Sequence, residues 1–149
     1  MTTIDEGRPR APWWRYALVT VPIVLGLGLL SGWLSNSGFS NGWFVALEKP
    51  WFMPPGWVFG AVWTTLYTLM GLGLALILAA PPSRSRTVAI ALFVVQLVAN
   101  FAWSPIFFGA GFIDWAMLVI VDLTLTVAVT IAVFWRVRPL AGALLLPYL

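Results

Sequence analysis

Cysteine and histidine are both absent from this chain of 149 residues. Their absence excludes disulfide bonds, thiol nucleophiles, zinc sites built from these ligands, imidazole ligation of haem iron and a histidine-based catalytic triad. The remaining residues show no nucleophile–base pattern of the hydrolytic kind. The sequence therefore predicts no metal site and no hydrolytic active site.

Charge is scarce as well. Charged residues make up 9% of the chain, hydrophobic residues make up 61%, and the mean hydropathy is +0.95. A soluble domain of this size cannot bury so much apolar surface, because small domains leave a large part of their surface exposed. We therefore predict an all-α integral membrane protein in a lipid bilayer. The net charge of +3 then reports membrane topology and does not indicate a nucleic-acid partner.

Long apolar runs predict four complete spanning helices, since about 20 apolar residues cross a bilayer. The predicted ranges are 16–34, 54–80, 87–108 and 113–135. Residues 1–15 are polar and basic and are predicted to form a flexible tail. The rest of the chain, 16–149, is predicted to form a single transmembrane domain.

A fifth apolar run occupies the last ten residues, 140–149. At about 1.5 Å per residue it covers about 15 Å, which is half of a hydrocarbon core of about 30 Å. We therefore expect a five-helix bundle whose fifth helix is incomplete in this chain, as in a fragment or a truncated protein. A short re-entrant or interfacial segment is the alternative.

Basic residues are distributed unevenly between the two sides of this topology. One side carries Lys49 alone, and the other carries seven arginines: Arg8, Arg10, Arg15, Arg84, Arg86, Arg136 and Arg138. Cytoplasmic loops are enriched in lysine and arginine. The pattern predicts a cytoplasmic N-terminus, in a bacterial cell membrane, with the first long loop on the opposite side.

The stretch from Trp43 to Tyr67 contains four of the ten tryptophans, three prolines and the only lysine. Proline is tolerated in the first turn of a helix, so a helix is predicted to start at Pro54 or Pro55. Within it, the spacing of four places three aromatic rings on one face: Phe59, Trp63 and Tyr67. Loop aromatics before it are predicted to fold back over this face: Trp43, Phe44 and Trp51. Such a loop is either an interfacial anchor or a lid over an apolar pocket, and its density favours a lid for part of it.

Polar amides recur within the third predicted span. Gln96 and Asn100 share a helical face with Trp103 and Phe107. Amides in a membrane are costly unless they find partners, so this face is predicted to point into the bundle. The candidate ligand-binding residues are Trp43, Phe44, Phe59, Trp63, Tyr67, Gln96, Asn100 and Trp103. The alternative is that the amides join helices and the rings fill space.

Two carboxylates occur in the fourth predicted span. Asp114 is at its start and is predicted to cap the helix. Asp122 lies two turns deeper on a face with Thr126 and Thr130, and is the one candidate for a buried proton carrier in these spans.

Small residues also repeat every four positions, as in Gly28 and Gly32 or in Gly71 and Ala75. Such faces allow close helix contact, either within the bundle or in a dimer.

Three passages of the chain are specific enough to suggest a family: ALEKPWFMPPGWVFGAVWTTLY, QLVANFAWSPIFFG and RPLAGALLLPYL. In them the chain resembles the TspO/MBR family of membrane proteins, and the resemblance covers about residues 43–149. It implies five helices around a pocket that opens toward the first loop, and a homodimer. It also implies porphyrins, haem-like tetrapyrroles or sterols as ligands, with no resident cofactor. The family's pocket tryptophan falls on Trp63, its loop aromatic pair on Trp43 and Phe44, and its amide and third-helix tryptophan on Asn100 and Trp103.

The family's second pocket tryptophan and its proposed sterol motif would follow Leu149, beyond this sequence. Three functions are therefore open. The first is a receptor or carrier for flat apolar ligands, and the second is a light-dependent catalyst of protoporphyrin breakdown that uses Trp63. The third is a proton-coupled exporter that uses Asp122, or a scaffold. Since axial ligation of haem would need tyrosine or methionine, a metal-free porphyrin is the simpler ligand.

Overall fold

The computed structural model describes residues 10–149, and Arg8 and the rest of the tail before Arg10 lie outside them. Among the described residues, four helical segments are long and apolar enough to cross a membrane. They contain helices α1 (Trp13–Leu34), α3 (Gly56–Ala79), α4 (Arg84–Ser104) and α5 (Ile113–Val137), and a five-residue helix, α2 (Gly42–Ala46), lies in the first loop. A π-helical turn, Pro105–Gly109, continues α4 to the end of its span.

A shorter apolar segment completes the bundle. It consists of helix α6 (Pro139–Leu145) and a 3₁₀ turn (Leu146–Tyr148). The predicted all-α membrane bundle of four long apolar helices and a shorter fifth segment is therefore confirmed.

Several helix boundaries differ from the prediction by a few residues. Helix α1 begins at Trp13, three residues into the predicted tail, and Pro12, in an extended conformation, is its N-cap residue. Helix α3 begins at Gly56, one residue after Pro55, which is itself extended at ψ 154°. Helix α4 begins at Arg84, because the Ser83 hydroxyl accepts a hydrogen bond from the backbone N–H of Arg86 at 3.1 Å.

Pro105 changes the helix type instead of only bending the last turn of α4. A proline cannot donate a backbone hydrogen bond. In the π turn, the N–H of Ala110 donates to the carbonyl of Pro105 at 2.9 Å, five residues back. Such wider turns are rare and occur often at functional sites. This turn carries Phe107 and Phe108 toward the first loop.

The long helices pack in two pairs, α1 with α3 and α4 with α5, and α6 contacts both α3 and α5. Small residues are used in the first pair. A Cβ atom added to Gly71 would lie 2.7 Å from the Cα of Val21, and the Thr20 hydroxyl donates to the Gly71 carbonyl at 2.7 Å. A Cβ added to Gly28 would overlap the ring of Tyr67. These glycines therefore serve packing within the bundle.

Candidate functional site

A chain of three polar side chains links α3, α4 and the C-terminal turn. The Tyr67 hydroxyl donates to Asn100 Oδ1 at 2.9 Å, and Asn100 Nδ2 donates to the Tyr148 hydroxyl at 2.7 Å. Tyr67 and Asn100 are buried. A buried amide without partners is costly, so these bonds explain how Asn100 is accommodated in an apolar span.

Packing against α1 positions Tyr67 for its hydrogen bond to Asn100. Gly28 leaves room for the tyrosine ring, which lies against α1. The ring of Trp63 is 5.4 Å from the ring of Tyr67, and Phe101 is 6.1 Å from it on the α4 side. The predicted aromatic face of α3 therefore brings Trp63 and Tyr67 together beside the amide.

An apolar cavity of about 280 Å³ lies between α3, α5 and the C-terminal turn. Its lining residues are Trp63, Ile120, Leu123, Thr124, Val127, Tyr148 and Leu149. The Thr124 hydroxyl donates to the carbonyl of Ile120 in its own helix, so it is already used. The volume is near the lower end of ligand pockets, which hold about 300–1,000 Å³.

A second group of aromatic residues, here called the loop cluster, joins α2 to the end of α4. Phe107 is 5.3 Å from Trp43 and 6.3 Å from Phe44, and it stacks on Trp103 at 4.9 Å. Phe44 is also 5.2 Å from Phe108. The loop cluster consists of these five residues: Trp43, Phe44, Trp103, Phe107 and Phe108.

Hydrogen bonds from Asn41 attach α2 to the π turn. The Asn41 side chain accepts from the backbone N–H of Phe44 at 3.1 Å and donates to the carbonyl of Phe108 at 3.0 Å. On the other side, Lys49 Nζ donates to the carbonyls of Val45 and Leu47 and lies 4.9 Å from the Phe44 ring. The only lysine of the chain therefore holds α2 in place.

The prediction that the loop aromatics cover the aromatic face of α3 is thus wrong. Trp43 and Phe44 pack on the π turn of α4, and Trp51 is 95% exposed. The sequence does not reveal the π turn, which provides the surface on which they pack. Phe59 is 40% exposed, because each step of four residues turns about 40° around the helix and carries it away from Tyr67.

Gln96 and Asn100 both point into the bundle, as predicted. Their surroundings differ, however. Both polar atoms of the Gln96 amide are buried without a hydrogen-bond partner within residues 10–149. Trp103 belongs to the loop cluster and does not line the cavity.

Tyr148 is the site residue that sequence reasoning missed. The sequence feature that could have indicated it is a hydroxyl group in the otherwise apolar ending LLLPYL. Nothing in the local pattern indicated that this ending folds back to α4.

The predictions that Asp122 is buried and that Asp114 caps α5 by a side-chain hydrogen bond are wrong. Asp122 is exposed on α5 while Thr130 is buried, because spacings of four drift around the helix. Asp114 lies in the first turn of α5, but the N-cap position is Phe112 and no side chain makes the capping hydrogen bond. In the part of the chain that the structure describes, no group of three or more potential metal ligands is present.

A further groove of about 380 Å³ lies between α1 and the π turn. Its lining residues are Leu27, Leu30, Ser31, Leu34, Ser35, Pro105 and Gly109. The two serine hydroxyls donate to the carbonyls of Phe101 and Ser31. The groove is therefore apolar, and it contains none of the predicted site residues.

Comparison with known proteins matches residues 18–149 to the TspO/MBR family. The human (Homo sapiens) translocator protein is 37% identical over 142 residues, which cover 93% of this chain and 83% of the relative. Protein CrtK of Rhodobacter capsulatus is 39% identical over 112 residues, covering 74% and 70% of the two chains. The tryptophan-rich sensory protein of Cereibacter sphaeroides is 38% identical over 107 residues, covering 72% and 66%. The chain therefore belongs to the TspO/MBR family of integral membrane receptor and sensory proteins.

Proposed function

We propose that this protein is a receptor or carrier that binds flat, apolar ligands of the porphyrin class, or sterols, in the cavity between α3, α5 and the C-terminal turn. The observation that carries the proposal is the composition of the cavity wall. It combines the Trp63 ring and apolar side chains with one end of the Tyr67–Asn100–Tyr148 hydrogen-bond chain. Ligand sites are typically apolar clefts with a few placed polar groups.

Aromatic stacking gives this wall its preference for flat molecules. An aromatic pair contributes about 0.5–1.5 kcal/mol beyond the area that it buries. Trp63 supplies a ring on the wall, and Tyr67 supports that ring from behind at 5.4 Å. Asn100 orients the two tyrosines. We propose that Trp63 contacts the ligand and that Tyr67 and Asn100 position the cavity wall from behind.

A complete tetrapyrrole is larger than a cavity of about 280 Å³, so its binding requires side chains to move. We propose that the loop cluster acts as a lid, with Trp43, Phe44 and Trp103 as its aromatic members. Gln96 is proposed as an inner hydrogen-bonding group. Phe59, exposed on α3, is proposed to flank the entrance.

We further propose that the N-terminus is cytoplasmic in a bacterial cell membrane. The described arginines support this orientation, since they lie at the start of α1, between α3 and α4, and between α5 and α6. A homodimer is proposed from the family resemblance. It would need a surface other than Gly28 and Gly71, whose faces are occupied within the bundle.

Quenching of tryptophan fluorescence by protoporphyrin IX in detergent tests the proposal. We expect saturable quenching, and we expect the Trp63→Ala, Asn100→Ala double variant to bind at least ten times more weakly, which corresponds to about 1.4 kcal/mol. Trp115→Ala is the control, because Trp115 is exposed on α5 outside the cavity. Equal quenching in all three proteins would mean that the porphyrin only partitions into the micelle, and the proposal would fail.

Light-dependent breakdown of protoporphyrin is the second candidate function. The position of Trp63 on the cavity wall favours it, because an electron donor must lie next to the bound chromophore. Trp63→Phe is expected to slow the light-driven loss of protoporphyrin while leaving binding measurable. Unchanged loss would exclude Trp63 as the donor.

A further inference from the structure

The side-chain amide of Asn100 accepts a hydrogen bond from one tyrosine hydroxyl and donates a hydrogen bond to another. An amide oxygen accepts the hydrogen of a hydroxyl, whereas an amide N–H donates its own hydrogen to a hydroxyl oxygen. Only the hydroxyl that faces the amide oxygen therefore uses its hydrogen in the bond. Tyr67 donates its hydrogen to Asn100 Oδ1, whereas Tyr148 accepts one from Asn100 Nδ2. The Tyr148 hydroxyl therefore keeps its own hydrogen, and it donates to no protein acceptor between residues 10 and 149.

Only one of the two tyrosines lines the cavity. Tyr67 is 7% exposed, lies against Gly28 and does not line the cavity. Tyr148 does line the cavity, together with Trp63. The hydroxyl hydrogen without an acceptor therefore belongs to Tyr148, the tyrosine that a ligand in the cavity would contact.

Other polar hydrogens on the cavity wall are few. The Thr124 hydroxyl is already used in its own helix. The Tyr148 hydroxyl therefore favours a ligand that offers an acceptor.

A hydrogen-bond donor without an acceptor affects which ligands a cavity in the membrane binds preferentially. A buried donor left without an acceptor keeps an uncompensated desolvation cost. A site built around such a donor rejects analogues that lack the matching group. Apolar lipid supplies no acceptor within the bilayer core.

We propose that Tyr148 donates a hydrogen bond to the ligand, so that the site selects flat apolar molecules with a carbonyl, carboxylate or aromatic-nitrogen acceptor over hydrocarbons of the same shape. This inference rests on the proposed binding function and specifies the chemical class of its ligands. Asn100 acts as a positioning residue, because its nitrogen holds the Tyr148 oxygen while leaving the hydroxyl hydrogen free.

Two probes of equal shape test the inference on the full chain in detergent: 2-acetylnaphthalene, which carries a carbonyl, and 2-isopropylnaphthalene, which does not. Binding is measured by titration calorimetry, and each affinity is corrected for partition of the probe into empty micelles. One hydrogen bond of about 0.5–1.5 kcal/mol predicts a preference of about 2- to 10-fold for the ketone. Tyr148→Phe is expected to abolish the preference by weakening ketone binding alone. Tyr16→Phe, the same change in α1, outside the cavity, is expected to preserve it.

The carbonyl stretch of bound 2-acetylnaphthalene provides a readout independent of affinity. We expect a lower frequency than in hydrocarbon solvent for the wild type, and a return toward the solvent value in Tyr148→Phe. If Tyr148→Phe loses both probes, the wild-type frequency decides, and an unshifted carbonyl overturns the inference. An unchanged preference in Tyr148→Phe also overturns it while leaving the binding function intact. If the wild type binds neither these probes nor protoporphyrin saturably, the binding function itself fails.

Discussion

Asn100 and Gln96 are buried one turn apart on the same face of α4, and the bundle satisfies only one of them. Asn100 bridges two tyrosine hydroxyls, whereas the Gln96 amide has no hydrogen-bond partner among the described side chains and backbone groups. A side chain without partners contributes desolvation cost and no compensating bond. At the scale of single residues, the two amides should therefore respond to mutation in opposite directions.

We expect Asn100→Leu to destabilise the protein by about 1–3 kcal/mol, because two tyrosine hydroxyls lose their partner. Gln96→Leu is the matched change one turn away and should be neutral or stabilising. Reversible unfolding in mixed micelles measures both. Equal destabilisation by the two changes would show that Gln96 is also satisfied, for example by an internal water.

Gly28 offers a second test at this scale. Gly28→Ala forces a methyl group into the ring of Tyr67 and should cost about 1–3 kcal/mol of stability, as overpacking does. It should also weaken protoporphyrin binding, because Tyr67 must move away from Asn100. Gly26→Ala is the control, since a Cβ there meets nothing within 4 Å. Similar behaviour of the two variants would contradict the role assigned to Gly28.

At the scale of helices, α5 presents two different surfaces. One face lines the cavity with Leu123 and Val127. Another face carries exposed apolar side chains such as Leu118 and Leu125, and Asp122 is exposed on the same helix. A carboxylate outside the bundle and away from the cavity wall is poorly placed to carry protons along a ligand pathway.

Asp122→Leu is therefore expected to leave protoporphyrin binding unchanged. It should make insertion of α5 more favourable by up to about 3 kcal/mol, the cost of aspartate near the centre of a membrane helix. Glycosylation-based insertion assays and the quenching titration measure the two effects. Loss of transport in Asp122→Asn, with binding retained, would instead support the exporter hypothesis.

At the scale of the whole molecule, the helix order places the described arginines at one end of the bundle and α2 with Lys49 at the other. Lys49 is bonded to backbone carbonyls in the loop, and Phe44 beneath it belongs to the loop cluster. The proposed lid therefore lies at the end of the molecule opposite to the arginines. The orientation proposal thus predicts a lid on the outer side.

The absence of cysteine makes this orientation directly measurable. Ser40→Cys places a thiol at an exposed position of the first loop, and Ser85→Cys places one at the exposed start of α4. In intact bacterial cells, an impermeant maleimide should label Ser40→Cys, and it should label Ser85→Cys only after permeabilisation. The reverse pattern would invert the proposed topology.

The features that depend on local composition and helical period can be predicted from the amino-acid sequence. The four spans follow from runs of apolar residues, and the burial of Gln96 and Asn100 follows from the helical period of α4. The family assignment likewise followed from passages that can be read directly from the chain.

Which of these residues are in contact depends on how distant parts of the chain pack together. Asn100 bonds to Tyr148, 48 residues away, because α6 contacts both α3 and α5 and brings the C-terminal turn to the amide. Trp43 and Phe44 leave the face of α3 because the π turn at Pro105 provides another aromatic surface. Gly28 places Tyr67, although 39 positions separate them in the sequence. Periodicity shows which side of a helix is buried, but the partner on that side depends on how distant helices pack, and no local pattern contains that information.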